Sequence, residues 1–145
     1  MGAHDDYGKK IMRAAAGTLY SDWGQSVEID YRAGLPARID GTLTNQVAVE
    51  IESRTGKQVR GAVLDLICHR YPKKLLVLIP MHMHDPGATA DQCRNILEKF
   101  VSEENFKVVL LEGTGYETRM EADVTIIRNA LSELGVPCAT DGEQK

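Results

Sequence analysis

The sequence predicts an α/β domain with a mixed sheet of about five strands flanked by helices, in the order αβββαβαβα. Two apolar runs, KLLVLI at residues 74–79 and FKVVLL at residues 106–111, are typical of strands buried on both faces. Segments with apolar residues at helical spacing precede and follow these runs, and residues 26–52 contain the alternation of half-buried strands. A chain of 145 residues is long enough for one such domain with a single core.

The first half of the chain predicts one helix and a meander of three strands. Residues 6–20 carry apolar side chains on one face and basic side chains on the other, as expected of a surface helix. Alternation of apolar and polar residues then predicts short antiparallel strands at residues 26–31, 37–39 and 47–52. We expect residues 41–46, which begin with a glycine, to reverse the chain before the third strand.

The second half predicts helices that alternate with the two buried strands. Thr55 and Thr89 are each followed three residues later by a glutamine, a form of the capping box that predicts helix starts near these residues. The predicted helices cover residues 56–71, 89–101 and 118–134. We expect one domain over residues 1–145, with its core at residues 6–112 and a polar tail at residues 137–145.

The composition argues against several classes of protein. The chain is 26% charged and 43% hydrophobic, both ordinary values for a globular domain. A formal net charge of −4 gives no overall attraction to nucleic acid, so binding to a polyanion must use local basic groups or a bound metal. The sequence has no apolar run near the roughly 18 residues of a membrane span and no signal segment. Three widely spaced cysteines predict reduced thiols, so we expect a cytoplasmic protein without membrane contact.

Three carboxylates are expected to converge where two of the strands meet. The strand at residues 47–52 (VAVEIE) places Glu50 and Glu52 on one face and its three large apolar residues on the other. A reversal of the chain after Asp40 brings this acid beside Glu50. Such a cluster repels itself at neutral pH unless a divalent cation neutralises it, and oxygen ligands favour Mg²⁺, Mn²⁺ or Ca²⁺.

The acids and the order of elements resemble the core of the PD-(D/E)xK, or restriction-endonuclease-like, nuclease superfamily. The likeness covers residues 6–80: a helix, a three-stranded meander with Asp40 and the Glu50-Ile51-Glu52 sequence, a helix and a buried strand. The chain departs from the family pattern at two positions. Ile39 rather than proline precedes Asp40, and Glu52 stands where most members have lysine, a variant that resembles the Glu-x-Glu form of some restriction enzymes.

The resemblance implies metal-dependent hydrolysis of phosphodiester bonds in DNA, with endonuclease cleavage as the expected mode. Asp40 and Glu50 match the metal-ligand positions of the family, and the backbone carbonyl of Ile51 is expected to supply a further ligand. The implied cofactor is Mg²⁺, for which Mn²⁺ can substitute. DNA is the expected substrate, and we expect specificity to come from a homodimer or from a partner protein.

The remaining roles fall on Glu52 and on the residues just after the strand. Glu52 is expected to bind the metal and to position or deprotonate the attacking water. Arg54 or Lys57 is expected to supply the positive charge that the family's lysine provides near the phosphate. The sequence therefore predicts a catalytic centre made of Asp40, Glu50, Glu52, Arg54 and Lys57.

Two other functions stay open on the sequence alone. One is a catalytically silent nuclease-like fold that serves as a binding or assembly module, in which Glu52 marks a lost lysine. The other is a nucleotide-binding or regulatory α/β domain that uses the loops after the two buried strands, where open α/β sheets bind ligands. Residues 112–116 (EGTGY) resemble a phosphate-binding loop only loosely.

Two alternatives also stay open for the candidate site residues. The three acids can belong to an amphipathic surface strand whose carboxylates simply face water. A zinc site is the other alternative, although its spacing matches no strong zinc motif. Its ligands would come from His82, His84, Asp85 and Cys93.

Overall fold

The chain forms an α/β fold in which helices and strands alternate from the fifth described strand onwards. The computed structural model describes residues 3–22, 26–27, 37–54 and 56–136. The described helices are α1 (Ala3–Ala16), α2 (Lys57–Cys68), α3 (Pro86–Leu97) and α4 (Met120–Glu133). The described strands are β1 (Tyr20–Ser21), β2 (Ser26–Val27), β3 (Ala37–Arg38), β4 (Gly41–Leu43), β5 (Val47–Glu52), β6 (Lys73–Leu78) and β7 (Phe106–Leu110). The predicted polar tail lies outside the described residues.

A five-stranded mixed sheet in the order β1-β4-β5-β6-β7 is the centre of the fold. The first three of these strands are antiparallel, whereas β5, β6 and β7 are parallel to one another. On one face, Val47, Val49 and Ile51 pack with residues of α1 and α4. On the other face, Ala48 packs with residues of α2 and α3. Because successive residues of a strand alternate between faces, Glu50 and Glu52 lie on the face that α2 covers. Among the described helices, none is both long and apolar enough to cross a membrane.

The predicted meander is wrong in its strand pairing. Ser26–Val27 and Ala37–Arg38 do pair with each other, but they form a separate two-stranded sheet, and residues 28–31 lie outside the described residues. The partner of β5 is instead Gly41–Leu43, which the sequence placed in the turn. Tyr20 was expected at the end of the first helix. It lies instead in β1, which pairs with β4.

The turn between β4 and β5 is tighter than predicted, which explains the extra strand. Thr44 and Asn45 both have positive φ, at 53° and 60°, and the Gln46 amide donates to the Leu43 carbonyl at 2.9 Å. Short polar residues, asparagine above all, tolerate this left-handed conformation. Because only three residues reverse the chain, Gly41–Leu43 is not part of the turn and pairs with β5 as a strand.

Helix α2 begins near its predicted start, whereas the capping box at Thr89 does not begin α3. Helix α2 starts at Lys57 after Gly56, which has a φ of 69°, and the helix has no side-chain cap; Thr55 lies outside the described residues. Helix α3 starts at Pro86, three residues before Thr89, and the Asp85 carboxylate accepts the Ala88 amide at 3.0 Å. An aspartate cap followed by proline at the first helical position is a stronger start signal than Thr89.

Substitutions at two helical glycines test how closely α1 packs on the sheet. A Cβ at Gly8 of α1 would lie 2.6 Å from Ile51 Cγ2, whereas a Cβ at Gly61 of α2 would meet nothing within 4 Å. We expect Gly8→Ala to lower the free energy of unfolding by about 1–3 kcal/mol because it overpacks the interface. Gly61→Ala should raise it by about 0.5–1 kcal/mol because alanine loses less backbone entropy in a helix. Urea denaturation measures both values, and equal effects would contradict the close contact at Gly8.

Candidate active site

An open cleft of about 270 Å³ lies at the carboxyl end of β5. It brings together every residue that the sequence predicted for the site, namely Asp40, Glu50, Ile51, Glu52, Arg54 and Lys57. Sequence reasoning missed three charged residues that also line this cleft: Asp5 from α1, Arg38 from β3 and Asp65 from α2. The cleft is therefore built by four separate segments of the chain, and it carries charges of both signs.

The β4–β5 pairing places Asp40 beside Glu50. Gly41 pairs with Val49, so the residue before Gly41 falls opposite Glu50. The Asp40 Oδ2 atom accepts the Ile51 amide at 2.7 Å, which anchors its carboxylate at this end of the strand. Glu50 is only 6% exposed because α2 covers this face. Sequence and structure thus agree that these two acids are neighbours, although the connecting turn differs from the prediction.

The backbone of Ile51 faces the same end of β4. On the other side of β5, the carbonyls of Gln46 and Glu52 accept the amides of Lys73 and Ile79 at 3.0 and 2.9 Å. Because alternate residues of a strand direct their peptide groups to opposite neighbours, Ile51 directs its amide and carbonyl towards β4. Strand β4 begins only at Gly41, opposite Val49, so Ile51 lies beyond the paired part.

Glu52 lies in the same cleft, and its carboxylate is bound by donors from its own segment of the chain. Its Oε2 atom accepts the amides of Ser53 and Arg54 at 3.0 and 2.9 Å and the Arg54 Nε–H at 3.0 Å. These donors hold the carboxylate at the end of its own strand. All three predicted carboxylates therefore line one cleft, with that of Glu52 already bound by neighbouring groups. Among the described residues, no three His, Cys, Asp or Glu side chains form a ready-made metal-binding group.

Asp65 is the acid that sequence reasoning missed next to Glu50. The pKa of Glu50 is raised to about 12, mainly by burial and also by the charges of Asp40 and Asp65 and by hydrogen bonds to both of their carboxyl groups. Asp65 follows Gln58 by seven residues, so both lie on one face of α2. The signal in the sequence was a carboxylate inside an apolar helix, facing two small residues, Gly61 and Ala62.

The raised pKa of Glu50 indicates that its carboxyl group binds either a proton or a cation. A hydrogen bond between two carboxyl groups requires that one of them carries a proton. Without a cation, Glu50 is that group, and it stays neutral at neutral pH. A divalent cation can replace the proton, because carboxylate and carbonyl oxygens are the ligands that Mg²⁺ prefers. The residues present therefore fit a magnesium ion held by Asp40, Glu50 and the Ile51 carbonyl.

Basic side chains stand at the rim of the cleft. Arg54 has a side chain that is 57% exposed and is held by Glu52. The hydrogen bond that Arg54 donates to Glu52, together with the charges of Glu52, Asp5 and Asp40, raises the pKa of this guanidinium. Lys57 is the first residue of α2 and is exposed. The cleft thus offers both oxygen ligands for a cation and positive charge for an anion.

Two alternatives for the site residues are wrong. Glu50 and Glu52 are 6% and 8% exposed, so they do not form the water-facing side of a surface strand. The zinc set does not assemble among the described residues. Asp85 instead caps α3, and Cys93 is buried in the apolar cluster between α2, α3 and the sheet.

The glycine-containing loop after β7 is closed by the chain's own carboxylate. Asp123, which is fully buried, accepts the amides of Glu112 and Gly113 at 2.7 and 2.9 Å. Its Oδ2 atom also accepts the Tyr7 hydroxyl at 2.6 Å, and that hydroxyl accepts the Arg119 amide at 3.0 Å. Because these amides already bind a carboxylate, the loop is not arranged to bind a phosphate.

Comparison of the chain with protein-family models, with curated proteins and with solved structures found no match. The likeness to the PD-(D/E)xK superfamily therefore depends on the residues of the cleft and on the order of the elements around it.

Proposed function

We propose that this chain is a metal-dependent nuclease with a restriction-endonuclease-like core that hydrolyses phosphodiester bonds in DNA. One observation carries the proposal: Glu50 is buried beside Asp40 and Asp65 in a cleft that also holds Arg54 and Lys57. Burying carboxyl groups together is costly for an unliganded fold. That cost is understandable if the site exists to hold a cation near a phosphate.

In this proposal Asp40, Glu50 and the Ile51 carbonyl hold the cation. A bound Mg²⁺ supplies charge that polarises a phosphoryl group and lowers the pKa of a coordinated water. Arg54 contacts a non-bridging oxygen of the scissile phosphate, because its exposed guanidinium is a planar donor suited to such oxygens. Lys57 adds positive charge at the first turn of α2.

Glu52 has two roles in this arrangement. Its Oε2 atom fixes the Nε side of Arg54 and so orients the guanidinium towards the cleft. The second oxygen, Oε1, is the one that we propose accepts the proton from the attacking water. Asp65 keeps Glu50 in place from the side of α2, and it is a positioning residue rather than a group that touches the substrate.

A second candidate function is favoured by the conformation of Glu52. Its carboxylate is bound by the Arg54 side chain and by two amides at the end of its own strand. That conformation is what a catalytically silent binding or assembly module would have after losing the family's lysine. Such a module would bind its partner without cleavage and without dependence on Asp40.

The deciding experiment compares wild type with Asp40→Asn in metal binding and plasmid nicking. The amide keeps an acceptor for the Ile51 amide, so we expect the fold to be retained while nicking falls by about 1,000-fold or more, since a cation contributes several kcal/mol to the transition state. Isothermal titration with Mn²⁺ should show the matching loss of affinity. Asp91→Asn, at an exposed carboxylate on α3, is the control and should behave as wild type.

Nicking that survives Asp40→Asn unchanged would contradict the nuclease proposal. A wild type that binds DNA but neither binds Mn²⁺ nor cleaves would favour the silent module. Homodimer formation and a partner protein stay predictions, which sedimentation of the wild type with and without DNA would test.

A further inference from the structure

Three aromatic rings form a cluster at the carboxyl edge of the parallel strands. His82, which follows β6, and Tyr116, which follows β7, each lie nearly perpendicular to the ring of His4 at the start of α1. The ring centroids are 4.9 Å apart for His4 and His82 and 5.3 Å apart for His4 and Tyr116. Tyr116 is 75% exposed. Its ring therefore contributes little buried area to the fold and presents aromatic surface to solvent.

The loop that carries Tyr116 is fixed rather than loosely attached. The Thr114 hydroxyl accepts the amides of Tyr116 and Glu117 at 3.1 and 2.9 Å, and the Thr114 amide donates back to the Glu117 carbonyl at 2.7 Å. A Cβ at Gly115 would lie 2.4 Å from the backbone of Ala3, so the loop lies directly on the start of α1. The exposed ring is thus held in place before any ligand arrives.

This aromatic cluster adjoins residues at the edge of the carboxylate cleft at two points. The His82 amide donates to the Ser53 carbonyl at 3.3 Å, one residue beyond Glu52. On α1, His4 is adjacent to Asp5, which lines the cleft. A DNA strand with a phosphate beside Arg54 would therefore place a neighbouring base within reach of His82 and Tyr116.

We propose that His82 and Tyr116, supported by His4, form a stacking subsite for an unpaired base of the DNA strand whose phosphate lies in the cleft. The subsite rests on the proposed nuclease function and narrows its substrate to DNA with an unpaired or extruded nucleotide. Aromatic rings bind unpaired bases by stacking, and a base inside a duplex does not expose its face. The nearby acid Glu117 is paired with Arg119 at 3.1 Å, which reduces its repulsion of the DNA backbone.

The test uses a single-stranded thymidine oligonucleotide that contains one 2-aminopurine, with Asp40→Asn as the parent protein and Mg²⁺ present. Stacking of 2-aminopurine on an aromatic ring quenches its fluorescence, so the readout does not depend on cleavage. We expect Tyr116→Ala to weaken binding by roughly 5-fold to 100-fold, the range that stacking of one base supports, and to remove the quenching. Tyr116→Phe keeps the ring and should keep both the affinity and the quenching.

The control is Phe100→Ala, which removes another exposed aromatic, 66% exposed, that precedes β7 and so lies towards the opposite edge of the sheet. Phe100→Ala should leave the affinity for the oligonucleotide unchanged. Tyr116→Ala should likewise leave the affinity for a blunt duplex unchanged. Quenching and affinity that survive Tyr116→Ala would overturn the subsite, and so would a parent protein that does not bind the oligonucleotide. Cleavage by the Asp40→Asn parent would instead contradict the catalytic role of Asp40, so the two failures are distinguishable.

Discussion

Replacing Asp123 with alanine is expected to lower the free energy of unfolding by about 3–5 kcal/mol, the largest stability effect that we predict for a single residue. This carboxylate accepts the amides of Glu112 and Gly113 and the hydroxyl of Tyr7 in a fully buried position. Alanine would leave these donors without a partner and would detach the loop after β7 from α1 and α4. Urea denaturation followed by circular dichroism measures the change.

Three further variants distinguish the loss of this network from a general effect of losing an acid. Tyr7→Phe should cost about 1–2 kcal/mol, because it removes one hydrogen bond to Asp123 and leaves the Arg119 amide without its acceptor. The double variant with Asp123→Ala should lose less free energy of unfolding than the sum of the two single losses, because both changes break the same network. Asp91→Ala, at an exposed acid, should change stability by less than about 0.5 kcal/mol. A small loss in Asp123→Ala would contradict the buried network.

Replacing Glu50 with glutamine is expected to stabilise the metal-free protein at neutral pH while removing its response to metal. The folded state holds a proton on Glu50 that the unfolded chain releases above its ordinary pKa of 4.5. Wild-type stability should therefore be fully retained below about pH 4.5 and should fall as the pH rises towards the raised pKa. At about 1.4 kcal/mol for each pH unit, this loss reaches about 3 kcal/mol at pH 7.

Glutamine resembles the protonated carboxyl group and does not titrate, so Glu50→Gln should avoid that loss. The measurement is the free energy of unfolding of both proteins from pH 4.5 to pH 8 in EDTA, then at pH 7 with Mn²⁺. The difference between them should grow with pH in EDTA, and only the wild type should gain stability from Mn²⁺. Glu98→Gln, at an exposed acid, should follow the wild type. A constant difference across this pH range would mean that Glu50 is ionised in the folded protein.

The sequence predicted the elements well where burial decides them. The apolar runs that became β6 and β7 are recognisable because strands covered on both faces have little room for polar residues. The strand pairing near Asp40 was harder, because Gly41–Leu43 is too short to show a period and its neighbour β1 is only two residues long. The placement of Asp40 beside Glu50 survived this error, because the observed pairing of Gly41 with Val49 puts the residue before Gly41 opposite Glu50.

The periodicity and spacing of the sequence did not predict how the side chains are oriented within the cleft. Alternation correctly placed Glu50 and Glu52 on one face, but it did not show that α2 covers that face. The direction of the Glu52 carboxylate follows from donors at the end of its own strand, which only the folded backbone reveals. Asp65 was missed because one acid in an amphipathic helix ordinarily lies on the solvent side.

The left-handed conformation of Thr44 and Asn45 limits how related sequences are expected to vary in this turn. The number of residues in this turn determines which residue falls opposite Glu50. One residue more or fewer would slip the register and move Asp40 to the other face of the sheet. Surface loops usually tolerate insertions and deletions, but chains that keep this chemistry should keep this loop's length and residues that tolerate positive φ at its first two positions.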